Sequence, residues 1–195
     1  QFRSSAASDV YKRQIQHMSD LSATLDGKEV IAKRIDVDGV RVSGVSEGSK
    51  LVITYRLLAA EMTCRANHLD STHVHIMPPY TWMLPTRGIE ENRIDGQHIV
   101  KLIAPKQWHT ATQLEGEEGS WVANGRDEFL DAIMESNSNE MITFDVMGTK
   151  QHLKLWDSGG LPIPQKGLNR LIEAMKLIIE EHFALFGVPD WKEYW

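Results

Sequence analysis

From Glu29 to Trp156 the chain is written in short runs whose apolar residues recur at every second position, with turn-forming residues between them. A period of two places alternate side chains on opposite faces of a strand, so this stretch is committed largely to β-sheet. Glu29–Asp36 and Val40–Val45 flank Asp38-Gly39, which predicts a hairpin. After Gly48-Ser49, Lys50–Leu58 sets Leu51, Ile53 and Tyr55 on one face, and Glu61–Ala66 does the same with Met62, Cys64 and Ala66. Pro78, Pro79 and Pro85 bracket Tyr80, Trp82 and Leu84, so that segment is extended but unfit for a central strand throughout. His98–Ile103 follows the Asp95-Gly96 turn, Gly116–Gly119 reads as a solvated loop, and Trp121-Val122 reads as a brief buried strand. Met141–Met147 and Gln151–Trp156 form the clearest hairpin, with Phe144 and Leu155 turned inward. Ile15–Leu25 shows no clear period.

Two segments follow the helical period instead. Asn124 reads as a cap with Asp127 and Glu128 in the first turn, and Phe129, Leu130, Ile133 and Met134 make one stripe that ends at Asn137–Asn139. Lys166–Phe186 is the stronger helix. Leu168, Leu171, Ile172, Met175, Ile178, Ile179, His182 and Phe186 share a face there, and Gly187 and Pro189 stop it. The expected fold class is α+β: an antiparallel β-sheet or sandwich with one short helix and one long C-terminal helix. No repeat or linker divides the chain, so residues 15–195 are expected to form a single domain.

Residues 1–14, QFRSSAASDVYKRQ, are small and polar and lack amphipathic period. They resemble a translated linker stretch of the kind found at the ends of assembled environmental sequences. The expectation is a disordered, non-native tail joined to an N-terminally truncated domain. The net charge of −6 argues against a protein built mainly to grip nucleic-acid phosphates or an anionic membrane surface. A single cysteine, Cys64, rules out an internal disulfide framework and any multi-Cys zinc site. The longest apolar stretch, Leu51–Ala60, contains Arg56 and is too short to span a bilayer as a helix.

Candidate chemistry concentrates on histidine. His73 and His75 lie two apart on a predicted strand, so both side chains point the same way, with His68 and Asp70 close in sequence. Leu69–Ile76 (LDSTHVHI) resembles the metal-binding strand end of amidohydrolases, although Asp70 stands one residue too far from His73 for the usual Asp-x-His-x-His pattern. A bare pair followed by Pro78-Pro79 has no evident groups to orient its rings, so no structural metal is expected at His73 and His75. Cys64 reads as a buried small hydrophobe, and no serine sits in a nucleophile elbow. Neither a Walker loop nor a dinucleotide fingerprint occurs. The aromatic residues Tyr80, Trp82, Trp108 and Trp121 are candidates to line a ligand groove, and Phe186, Trp191 and Trp195 to form an interface.

The layout from Ile89 to Met175 supplies a resemblance. An Arg93-Ile94-Asp95-Gly96 turn and strand lead to Trp108 and Trp121, then to the Asn124-Gly125 helix, the Met141–Trp156 hairpin and a helix start at Gly167-Leu168. This is similar to small β-sandwich proteins of bacterial envelopes, such as the type VI secretion-associated accessory proteins and the invasion-associated locus B proteins. The resemblance implies a non-enzymatic, periplasmic protein-interaction domain; without it a cytoplasmic location is expected. The expected partner is another protein or a second copy, met through the C-terminal helix, with no cofactor, nucleic acid or transmembrane segment. The alternative is a small metal-dependent hydrolase using His68, His73 and His75.

Overall fold

The structure, a computed structural model, describes residues 2–3, 18–35, 39–63, 66–87, 92–93, 96–157 and 164–195. In chain order the first elements are β1 (Phe2–Arg3), β2 (Met18–Leu25), β3 (Lys28–Val30), β4 (Ala32–Arg34), β5 (Gly39–Val42) and β6 (Leu51–Leu57). Next come β7 (His68–Leu69), β8 (His73–Ile76), a 3-10 turn at Pro78–Tyr80, β9 (Leu84–Arg87), β10 (Asn92–Arg93) and β11 (His98–Lys101). The chain continues through β12 (His109–Ala111), β13 (Glu115–Glu117), β14 (Ser120–Ala123), α1 (Arg126–Asp131) and β15 (Met134–Asn137). It closes with β16 (Ile142–Val146), β17 (Thr149–Leu153), α2 (Gln165–Phe186) and β18 (Glu193–Tyr194).

Among the described residues these strands form five sheets, ordered β10-β9-β1-β5-β4, β3-β2-β6, β12-β15-β8-β7, β11-β14-β13 and β16-β17-β18. Pairing within them is antiparallel except for β17 with β18, which is parallel. The fold is therefore α+β, mostly antiparallel sheet with one short helix and one long C-terminal helix. No helix among the described residues is long and apolar enough to cross a membrane.

Turn chemistry explains the hairpins. Asp26-Gly27 joins β2 to β3 with both φ angles positive, 51° and 80°, and Met147-Gly148 joins β16 to β17 at 51° and 82°. Two-residue turns of this hand match the twist of the strands they connect. Gly116 in β13 is required for a different reason: a Cβ there would lie 2.4 Å from the Ser120 carbonyl oxygen. The β4–β5 hairpin forms with Ala32 opposite Val42 and Arg34 opposite Val40; the Asp38 of its expected turn lies outside the described residues.

Several elements depart from the sequence reading. β2 occupies a stretch without visible period, because its register against β6 shifts between Ser19 and Ser22, with Asp20 at φ 51°. A bulge of this kind moves later side chains to the other face and erases the alternation. Glu61–Thr63 form no strand, and Cys64 lies outside the described residues. Glu115–Glu117, expected in part as loop, pair with β14. The first helix stops at Asp131; Ile133 is exposed and Met134 opens β15. Its cap is Gly125, and Asn124 instead donates its backbone N–H to Glu128 Oε2 at 2.6 Å. Phe144 and Leu155 are half-buried. In α2, which packs on β16, the buried residue is Phe183, whereas Phe186 is 82% exposed. Of the expected tail, Phe2–Arg3 pair with β5 and β9, and residues 1 and 4–14 lie outside the described residues.

The core gathers Ile76 from β8, Leu84 from β9, Val100 from β11, Trp121 and Ala123 from β14, Phe129 from α1 and Met134 from β15, with Leu114 and Ala132 between them. Val74 packs against this cluster. Alternation in β8 therefore sends Val74 and Ile76 into the core and leaves His73 and His75 on the opposite face of the same strand.

Candidate functional site

That opposite face carries a polar constellation built from three strands. In the β12-β15-β8-β7 sheet, His75 of β8 stands directly opposite both His68 of β7 and Glu135 of β15, while His73 stands opposite Asn137. Opposed residues in antiparallel strands project to the same side, so register alone assembles three imidazoles and a carboxylate.

Glu135 organises them. Its Oε1 accepts from His73 Nδ1 at 2.8 Å and from Asn137 Nδ2 at 3.0 Å, and its Oε2 accepts from His75 Nδ1 at 3.2 Å. Burial pushes the Glu135 pKa up, but the hydrogen bonds from His75, His73 and Asn137 outweigh it and hold the carboxyl below its usual range. Glu135 is therefore an anion at neutral pH, and each imidazole bound to it carries its proton on Nδ1. That leaves Nε2 of His73 as an acceptor, and His68 Nδ1 meets it at 2.6 Å. His75 Nε2 is buried and finds no partner among the described residues.

Two further groups fix the arrangement. The Trp156 ring stacks on His73 with centroids 3.6 Å apart and planes within 9°, and its Nε1 donates to Thr72 Oγ1 at 2.9 Å. Asp70 closes the β7–β8 turn, its Oδ1 accepting from Thr72 N at 2.6 Å, Thr72 Oγ1 at 2.7 Å and His73 N at 3.1 Å. The bonds from Thr72 lower the Asp70 pKa. Beside Glu135, burial holds the Lys154 pKa down, and its ammonium donates to the Asn137 and Asn139 carbonyls. Met62, Thr63, His68, His73, His75, Glu135 and Trp156 line an open cleft of about 290 Å³. Ligand atoms of His68, Asp70 and His73 all lie within 4.8 Å of one another, close enough to converge on one metal ion. Glu135, His73 and His68 thus form one continuous hydrogen-bonded chain.

A larger cleft of about 630 Å³ lies between β6 and β9, lined by Ile53, Tyr55, Trp82, Leu84, His98 and Phe129 among others. Tyr55 donates its hydroxyl to Thr81 O at 2.6 Å, and burial raises its pKa. His98 stacks on Phe129 with centroids 4.4 Å apart, and its Nε2 is buried without a partner among the described residues.

Of the aromatic candidates, Trp121 lies in the core cluster and Trp82 packs against it. Trp108 and Trp121 are buried, Trp82 is half-buried against Phe129 at 5.8 Å, and the Tyr80 carbonyl accepts from Asn67 at 3.2 Å. Phe186 projects from α2, Trp191 packs edge-on to Phe183 at 6.3 Å, and Trp195 stacks on His152 at 4.0 Å. Sequence reasoning found His68, His73 and His75 but missed Glu135, Asn137 and Trp156. The helical stripe of Phe129, Leu130, Ile133 and Met134 masks Glu135, and no local signal marks a partner 60 residues away.

Against known families, residues 11–134 match the model of the peptidase M61 N-terminal domain. The chain belongs to the peptidase M61 N-terminal domain family. A crystal structure of an aminopeptidase N family protein from Idiomarina loihiensis, 17% identical, covers 94% of this M61 N-terminal domain chain with a TM-score of 0.74. The chain spans 31% of the length of that protein. No curated protein matches the sequence.

These findings overturn the envelope resemblance. The chain is not a type VI secretion-associated or invasion-associated locus B-like protein, and the non-enzymatic, periplasmic interaction reading falls with it. The order turn, strand, helix, hairpin, helix recurs wherever antiparallel sheet meets a helix, so it carried architecture but no family. The M61 family match spans His68, Asp70, His73 and His75 and ends one residue before Glu135.

Proposed function

We propose that this chain serves as the N-terminal domain of a peptidase, working as one part of a longer hydrolytic polypeptide. The observation that carries the reading is the family match over residues 11–134. Surface chemistry supports it: Ile178, Leu185 and Phe186, on one side of α2, are all more than half exposed. An apolar helix face of this kind is the surface that packs against a further part of the polypeptide. The C-terminal helix thus keeps a contact role, with the rest of its own polypeptide as the contact. The test is hydrolysis of unstructured peptides by the complete reading frame that contains this segment. Cleavage is expected; a complete polypeptide that cleaves no peptide under any metal supplementation overturns the reading.

A second reading gives the chain hydrolytic chemistry of its own, in the cleft that unites His68, His73 and Glu135. The hydrogen-bonded chain favours it, since His73 is oriented by a carboxylate and placed against a second imidazole. The same assay on residues 1–195 alone separates the two. Activity there that is lost on His68→Ala supports the second reading, and an inert chain refutes it.

A further inference from the structure

His73 is held as a metal-ligating histidine is held, with one ring nitrogen on a carboxylate and the other facing a second imidazole. A histidine that ligates a metal almost always donates its other ring N–H to a carboxylate or carbonyl, which fixes tautomer and ring angle. His73 does this toward Glu135 at 2.8 Å, with Asn137 steadying the same oxygen at 3.0 Å and Trp156 clamping the ring face at 3.6 Å. The free Nε2 then points at His68 Nδ1, 2.6 Å away. The carboxylate of Asp70 lies within the same 4.8 Å cluster.

We propose that this cleft binds one divalent transition-metal ion of the zinc class through His68 Nδ1, His73 Nε2 and a carboxylate oxygen of Asp70, with a fourth position open to solvent. Two nitrogens on a tetrahedral ion at about 2.0–2.1 Å stand about 3.3 Å apart, so the imidazoles part by about 0.7 Å on binding. Asp70 is exposed in the β7–β8 turn, where Thr72 and the His73 N–H hold its Oδ1, so Oδ2 is the oxygen it offers to the ion. His68 must then carry its proton on Nε2; a neutral ring makes that exchange through water, and no net proton is released. Asp70 and Glu135 together supply two negative charges, which a divalent cation balances. Three protein ligands and one open position is the pattern of zinc sites that bind an exchangeable ligand. The ion binds whether or not the chain works within a peptidase.

The test uses the full chain stripped with chelator and titrated with Zn2+, and in parallel with Co2+ followed by visible absorption and tryptophan emission. Binding saturates at one equivalent, with the d–d intensity of a tetrahedral site and a change in tryptophan emission. His68→Gln and Asp70→Asn, both partly or fully exposed positions, keep the circular dichroism of the parent chain and lose at least about tenfold in affinity, and Glu135→Gln loses about 10–100-fold. His109→Ala and His182→Ala, exposed histidines elsewhere, leave the affinity unchanged. Absence of one-equivalent binding overturns the proposal. So does wild-type affinity in folded His68→Gln and Asp70→Asn variants, which would place the ion on other surface histidines.

Discussion

At the scale of the residue, Glu135 carries the account. It holds two imidazoles on one carboxylate, and His73, 3% exposed, has no water to turn to if that carboxylate is removed. Glu135→Ala is therefore expected to destabilise the fold by about 1–3 kcal/mol, the cost of a buried donor left unpaired, read as a lower urea midpoint. Glu135→Gln should cost less, since the amide oxygen still accepts one bond. If Glu135→Ala unfolds at the wild-type midpoint, the carboxylate is not holding the rings. Met134, one position earlier and 1% exposed, points into the core, so Met134→Ala should cost about 2–5 kcal/mol in the same measurement. The histidines were legible because a two-residue spacing on a strand means one face. Glu135 was not, because only the β8–β15 register, set by backbone pairing far along the chain, brings it to them.

Among the elements, hairpins were read where period and turn residues agreed, as in β16–β17. They were missed where a bulge broke the period, as in β2, although Asp26-Gly27 marked its turn. The short helix was drawn too long because Phe129, Leu130, Ile133 and Met134 fit a helical stripe by coincidence of a helix end and a strand start. Gly116 makes a sharp test of the β13–β14 hairpin. An alanine Cβ there meets the backbone of Ser120 at 2.4 Å and of Trp121 at 2.7 Å, neither of which can swing aside. Gly116→Ala should lower the thermal midpoint by several degrees, whereas Gly96→Ala, with open space around it, should not. The C-terminal strand offers a pH test. Hydrogen bonds from Lys150 at 2.8 Å and His152 at 3.2 Å lower the Glu193 pKa, Lys150 contributing most. A depressed carboxylate stabilises the folded state above the unfolded value, about 4.3, and that contribution is lost as pH falls below it through the folded value. Limited proteolysis of residues 187–195 should thus accelerate below about pH 4.3 in the parent chain and show no such step in Glu193→Gln.

For the whole molecule, composition and periodicity were enough to reach an α+β fold with a long C-terminal helix, but not the family. The family signal is spread over residues 11–134, whereas the sequence reading drew on the layout of residues 89–175. The long helix illustrates the same limit. The period alone does not decide whether its second half meets the core or another chain: Phe183 is buried, whereas Leu185 and Phe186 are 75% and 82% exposed. In the proposed function that exposed face is the one that packs against a further part of the polypeptide. The most direct measurement is peptide hydrolysis by the complete polypeptide, parent and Leu185→Asp/Phe186→Asp, with the unfolding midpoint of the isolated chain measured alongside. The account predicts that the double variant loses at least about tenfold in kcat/KM, a transition-state loss of about 1.4 kcal/mol, while the isolated chain melts as before. Unaltered hydrolysis in the double variant, or no hydrolysis by the parent polypeptide, would contradict it.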